Sequence, residues 1–198
     1  MLSESLYPSL QMLEVGLRNT IHNAMTREFG REDWFDKPDL LRHHHDLDAI
    51  RSAKAALTRQ RKSHDAFRVV AEVKFGFWTS LLDKRYERAL WQKLLKTTFP
   101  HVPRSMRTRK VLSVRFNALR ELRNRVFHHE PIWHWQDLMQ HHRDLIEAIG
   151  WINPVARDLV CELDRFPDTF SHGQISAERS VCERFQVRRQ TPTRGDST

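Results

Sequence analysis

Arg123, Asn124 and His128 lie close together in the run Arg123-Asn124-Arg125-Val126-Phe127-His128, and their side chains suit chemistry on a phosphodiester. An imidazole titrates near neutrality, so His128 can give or take a proton. A guanidinium stays charged and offers a planar fork to phosphate oxygens, the natural role for Arg123. Cleavage of RNA by its own 2′-hydroxyl needs a base, an acid for the leaving oxygen and cations for the developing phosphorane charge. That reaction calls for no metal and no cofactor. A histidine at a helix C-terminus is favoured as imidazolium by the dipole, which suits His128 as the proton donor.

The element that must position these groups is a helix over roughly 109–127. On it Leu112, Phe116, Leu119, Val126 and Phe127 form one apolar stripe, and Arg123 falls in the middle of that stripe. A guanidinium there needs an acceptor, because burying it unpaired is costly. Glu130 is the expected partner, and Arg125, one turn after Glu121, is expected to make an ordinary surface ion pair. Arg120, Asn124 and His128 form a separate row at four-residue steps. Arg123 and His128 therefore point about 140° apart on a regular helix. Two arrangements reconcile them: the helix unwinds at His128 ahead of Pro131, or two subunits contribute to one cleft.

The rest of the chain reads as helical. Leu6, Leu10, Leu13, Leu17 and Ile21 recur at helical spacing, with Gly30 as the stop and an irregular stretch from Trp34 to Pro38. A second helix is expected at about 46–61, with Leu47, Ile50 and Leu57 inward. A third, capped by Ser63 or Asp65, carries Val69, Val70, Val73, Phe77 and Leu81. A short one follows from Tyr86 to Leu95. Pro131 is expected to end the 109–127 helix. The next starts near Trp135 or Asp137 and runs towards Cys161 with a kink at Pro154. A last helix is expected near 175–185, and 186–198 reads as a disordered basic tail. No alternating strand pattern occurs, so the expected class is all-α.

Composition narrows the partners. The 198 residues carry a net charge of +8, and Arg104 to Arg125 holds eight Lys/Arg against one acid, Glu121. Such a surface attracts polyanions by phosphate neutralisation. No apolar run is long enough for a membrane helix, and Met1-Leu2-Ser3-Glu4-Ser5 lacks the character of a secretory signal. Two cysteines, Cys161 and Cys182, are too few for a disulfide scaffold, so a reducing cytoplasm is the expected home.

Arg123-Asn124-Arg125-Val126-Phe127-His128 matches the Arg-Asn-x-x-x-His motif of HEPN-type ribonucleases. More narrowly, LRNRVFHHEPI at Leu122 to Ile132 resembles the signature of the Abi-like, abortive-infection family. Leu13-Glu14-Val15-Gly16-Leu17-Arg18-Asn19 resembles that family's first helix, and Phe75-Gly76-Phe77-Trp78, Leu90-Trp91 and Phe99-Pro100 resemble its central region. The resemblance spans about residues 5–165. It implies a HEPN-like helical bundle with additional helices, over 1–165, followed by a C-terminal helical extension at 166–185 and the tail. It also implies a homodimeric endoribonuclease with Arg and His of both subunits at a shared cleft. Arg123 then polarises the scissile phosphate, His128 is acid or base, and Asn124 orients one of them. The implied setting is phage defence or toxin–antitoxin function, with an antitoxin protein or RNA as partner. The substrate is single-stranded or looped RNA such as tRNA or mRNA. Some HEPN domains only bind RNA or protein, which leaves a non-catalytic RNA-binding or protein-interaction module as the alternative.

Several neighbours have two readings. His129 is a second acid or a residue that braces the turn at Pro131. Arg120, Arg125 and Trp133 are candidate RNA contacts, although Trp133 and Trp135 also suit core packing. His43-His44-His45 and His141-His142 read as solvated surface. His129-Glu130-Pro131-Ile132-Trp133-His134 has the wrong spacing for a metalloprotease zinc motif, so no metal site is expected. Glu14, Arg18 and His22, at four-residue steps, read as a solvated ion-pair row, with a contribution to the main site as the alternative.

Overall fold

The computed structural model describes residues 2–173, and among these every regular element is helical, so the class is all-α. The expected helix at 175–185 and the tail at 186–198 lie outside the described residues. Among the described residues no helix is long and apolar enough to cross a membrane.

A short turn, α1 (Leu2–Ser5), leads into the long α2 (Tyr7–Phe29), which buries Leu10, Leu13, Leu17, Ile21 and Met25 as its period requires. Gly30 closes it in the left-handed region at φ 65°, its N–H bonded to Thr26 O at 2.9 Å. A Cβ at Gly16 would meet Ile152 at 3.3 Å, so glycine there lets α2 lie close against a later helix. The stretch after α2 is less irregular than its composition suggests: Trp34–Asp36 forms a 3₁₀ turn that buries Trp34 and Phe35.

Next, α3 (His44–Arg59) turns Asp46, Ile50, Ala53 and Leu57 inward, leaving Leu47 half-buried. Asp46, only 2% exposed, accepts from Ser80 Oγ (2.7 Å) and Tyr86 Oη (2.6 Å) and pairs with Arg85 at 3.2 Å. Burial and this carboxylate hold the Tyr86 phenol protonated well above its ordinary range.

The single helix expected from Val69 to Leu81 is two. Asp65 caps α4 (Ala66–Glu72) by accepting from Arg68 N. Val73 and Lys74 are then extended before α5 (Phe75–Ser80). Phe75, Phe77, Trp78 and Thr79 are all buried, so α5 is enclosed on more than one face. The expected short helix near Tyr86 is likewise composite: a 3₁₀ turn Lys84–Tyr86, a π-helical turn Glu87–Trp91, and α6 (Gln92–Thr98).

The helix over Arg109–Phe127 forms as expected and is labelled α7; Thr108 caps it by accepting from Val111 N at 3.2 Å. It packs against α5 and against α8 (Leu138–Ile152), which also covers α2. Pro154 does not kink a continuous helix. Asn153 turns extended and its side chain accepts from Val155 N and Ala156 N, so α9 (Pro154–Leu163) starts afresh with proline at its first position. A further helical run at 166–173 is tied back by Asp164, which accepts from Phe166 N and pairs with His142 Nε2 at 2.6 Å. His142 is 6% exposed and stacks on Phe166, so the His141-His142 run is not wholly surface.

Candidate active site

The end of α7 sets the geometry of the motif. His128 N bonds to Asn124 O, His129 N to Val126 O and Glu130 N to Arg125 O, with His129 in the left-handed region at φ 57°. These last two bonds define a Schellman closure, which satisfies the final carbonyls of the helix before Pro131 is reached. Pro131 therefore does not end α7. His129 is the residue that turns the chain, through its backbone rather than by a side-chain bond to the turn.

The buried face of α7 consists of Leu112, Phe116, Leu119, Leu122 and Val126. Leu122 belongs to the stripe and Phe127 does not; Phe127 is 40% exposed. Arg123 thus lies on the rim of the stripe rather than in its middle. Its acceptor is Glu14 of α2, not Glu130. Both Nε and Nη2 reach Glu14 Oε2 at 3.0 Å, and the two side chains keep 25% and 24% of their surface exposed. The guanidinium also lies over the Phe127 ring at 4.5 Å, and Tyr7 packs on the same ring at 5.2 Å. At this exposure the ion pair is worth no more than about 1 kcal/mol, so its effect is on orientation. Because both bonds end on one oxygen, Nη1 is left with only a 3.5 Å contact to Asn124 Oδ1. One edge of the fork stays open to an anion.

Arg125 pairs with Glu130 at 2.8 Å, not with Glu121, and lies over the Trp135 ring at 5.4 Å. The chain reversal at His129 brings Glu130 back beside the last turn, where Arg125 is nearer than Arg123. Arg125 Nε is buried without an acceptor. Arg120 extends towards Gly76 of α5. Arg120, Asn124, Arg125 and Glu130 line an open groove of about 690 Å³ along the outer face of α7, together with Asn117 and Glu121. Neither Arg123 nor His128 lines that groove.

His128 is exposed at the helix end, and among the described residues its imidazole has no hydrogen-bond or ion-pair partner. Trp133 is 75% exposed and touches the His134 ring edge-on, whereas Trp135 packs partly into the core. The structure therefore gathers four motif-region residues in one groove and leaves both Arg123 and His128 outside it.

Glu14 is the residue that sequence reasoning underweighted. Its signal was the Glu14, Arg18, His22 row, which is not one solvated network. Arg18 contacts Asn19, and His22 accepts the Trp34 indole N–H at 3.0 Å. Burial pushes the His22 pKa below its usual value, with Glu32 opposing. Among the described residues no group of three or more His, Cys, Asp or Glu side chains is placed to hold a metal ion.

No protein-family model, curated protein or solved structure matches this chain.

Proposed function

We propose that the chain is a metal-independent endoribonuclease of the HEPN type, similar to Abi-like proteins, acting as a homodimer in phage defence or as a toxin. The observation that carries this reading is the state of Arg123. It is anchored by one oxygen of Glu14, has a free guanidinium edge beside Asn124, and lies five positions before an exposed, unpartnered His128. In the reaction the Arg123 fork binds the non-bridging phosphate oxygens, His128 transfers the proton and Asn124 holds the arginine edge. Arg120 and the basic flank of α7 bind backbone phosphates, and Trp133 stacks an unpaired base. A second subunit brings the complementary Arg and His together in one cleft, because one helix directs them apart. Single-stranded or looped RNA is the substrate, and an antitoxin protein or RNA restrains the activity in a cytoplasmic setting.

The test uses purified protein in EDTA. RNA cleavage leaving 2′,3′-cyclic phosphate ends is expected, and His128→Ala abolishes it while RNA binding persists. Wild-type protein that binds RNA and never cuts it overturns the enzymatic reading.

The outer groove favours a second reading, a non-catalytic RNA-binding or protein-interaction module. Its lining includes Arg120, Asn124 and Arg125 but omits both Arg123 and His128. On that reading Arg120→Ala weakens binding, and His128→Ala changes nothing.

A further inference from the structure

A second pocket, of about 460 Å³, shares no lining residue with the α7 groove. It lies between the start of α3 and the 84–91 run, and its charged walls are Arg42, Arg85 and Arg88 with His43. Asp39 is the one carboxylate in the lining.

The three arginines differ in what they already bind. Arg85 is committed to Asp46 and Asp83, each at 3.2 Å, and serves the wall. Arg42 spends only its Nε, on the uncharged carbonyl of Asp39 at 2.8 Å. Arg88 has no hydrogen-bond or ion-pair partner among the described residues. Two guanidinium ends are thus available on facing elements.

Two further features shape the pocket. His43 caps α3 with extended backbone and no side-chain bond, and the first backbone donors to return to His43 O are Asp46 N and Leu47 N. The amino end of the sixteen-residue α3 opens beside the arginines without a side-chain cap, and the Asp46 carboxylate on its first turn is spent on Ser80, Arg85 and Tyr86. The wall opposite is cross-linked by side chains. Buried Asp46, on the first turn of α3, ties down Ser80, Arg85 and Tyr86, and so seats the π-helical turn that carries Arg88. Short π-helical turns occur frequently at functional sites.

We propose that this pocket binds a phosphate monoester, its dianion held between Arg42 and Arg88 at the amino end of α3. Two guanidinium groups with open Nη ends match the two charges and three terminal oxygens of such a group better than the single charge of a backbone diester. The ligand is a free nucleoside monophosphate or the 5′-phosphorylated end of an RNA. The site is separate from the Arg123 and His128 chemistry and stands whether or not the chain cleaves RNA.

Calorimetric titration of the full chain in about 150 mM salt tests it, at an ionic strength that screens diffuse attraction. The probes are inorganic phosphate, a nucleoside 5′-monophosphate, and two short 2′-O-methyl RNAs differing only in a 5′-phosphate or 5′-hydroxyl. These RNAs lack the nucleophile, so cleavage cannot confuse the result. Saturable binding with one site per chain is expected, and Arg42→Ala and Arg88→Ala should each weaken it by about tenfold or more. Lys84→Ala, a nearby exposed cation outside the lining, should leave affinity unchanged. Preference for the 5′-phosphorylated RNA over its 5′-hydroxyl counterpart identifies an RNA end as the ligand. Equal RNA affinities with tight mononucleotide binding identify a small phosphorylated molecule. Absence of saturable binding by phosphate and mononucleotide at millimolar concentration overturns the proposal. So does an Arg42→Ala/Arg88→Ala double variant that melts like wild type and binds as well.

Discussion

Arg123 sits on the rim of the core with Glu14 on one side of its guanidinium and an open edge on the other. Glu14 positions the arginine and contributes little to stability at this exposure. Glu14→Ala should therefore cost less than about 1 kcal/mol by chemical denaturation. If the chain cleaves RNA, the same change should slow cleavage by about tenfold or more, because a misplaced phosphate clamp loses orientation. Glu14→Gln keeps an acceptor and should recover most of that loss; an unchanged rate in Glu14→Ala would remove Glu14 from the site. His22 offers a pH test. Its Nδ1 accepts from Trp34, so the ring must be unprotonated there, and burial lowers its folded-state pKa below 6.5. The unfolded chain then binds the proton more readily. The stabilising contribution is fully present above pH 6.5 and is lost as pH falls from 6.5 towards the lowered folded value. Melting curves across that interval should fall less steeply for His22→Gln than for wild type.

Among the elements, the C-terminus of α7 and the joint after α9 carry the clearest consequences. His129 holds a left-handed conformation that a Cβ disfavours, and the Schellman bonds depend on it. His129→Gly should raise stability by about 1 kcal/mol. If only the backbone of His129 matters, His129→Gly should also cut RNA at the wild-type rate; a large drop would assign its imidazole to the chemistry. At the other joint, Asp164 serves two masters, the His142 ring and the amide of Phe166. Asp164→Ala leaves both donors without an acceptor in a buried place and should destabilise the protein by about 2 kcal/mol. Loss of amide protection confined to 166–173 in hydrogen exchange would locate the effect.

For the whole molecule the open question is assembly. Arg123 and His128 diverge from one helix, so the endoribonuclease reading requires two copies. Light scattering at micromolar concentration should give about twice the 23.6 kDa chain mass. A monomer there would undercut the shared cleft. The net charge of +8 further predicts that RNA affinity falls by about tenfold or more between 50 and 200 mM salt.

Much of this was legible along the chain. The span and buried face of α7 follow from the period of Leu112, Phe116 and Leu119, because helix periodicity involves residues within four positions of each other, whereas its stop is set by His129 and not by Pro131. The stop at Gly30 and the cap at Asp65 are local in the same sense. The divergence of Arg123 and His128 likewise comes from helix geometry alone. Tertiary structure decided what those residues meet. Arg123 and Glu14 are 109 positions apart, and only the packing of α2 beside α7 makes them partners. Asp46, Ser80 and Tyr86 are similarly remote, as are His142 and Asp164. The backbone turns extended at Val73 and Asn153, and a new helix follows each break. Local hydrogen bonds and periodicity are written into neighbouring residues. The partner of a rim charge is chosen by which helices pack together, and that depends on the whole core.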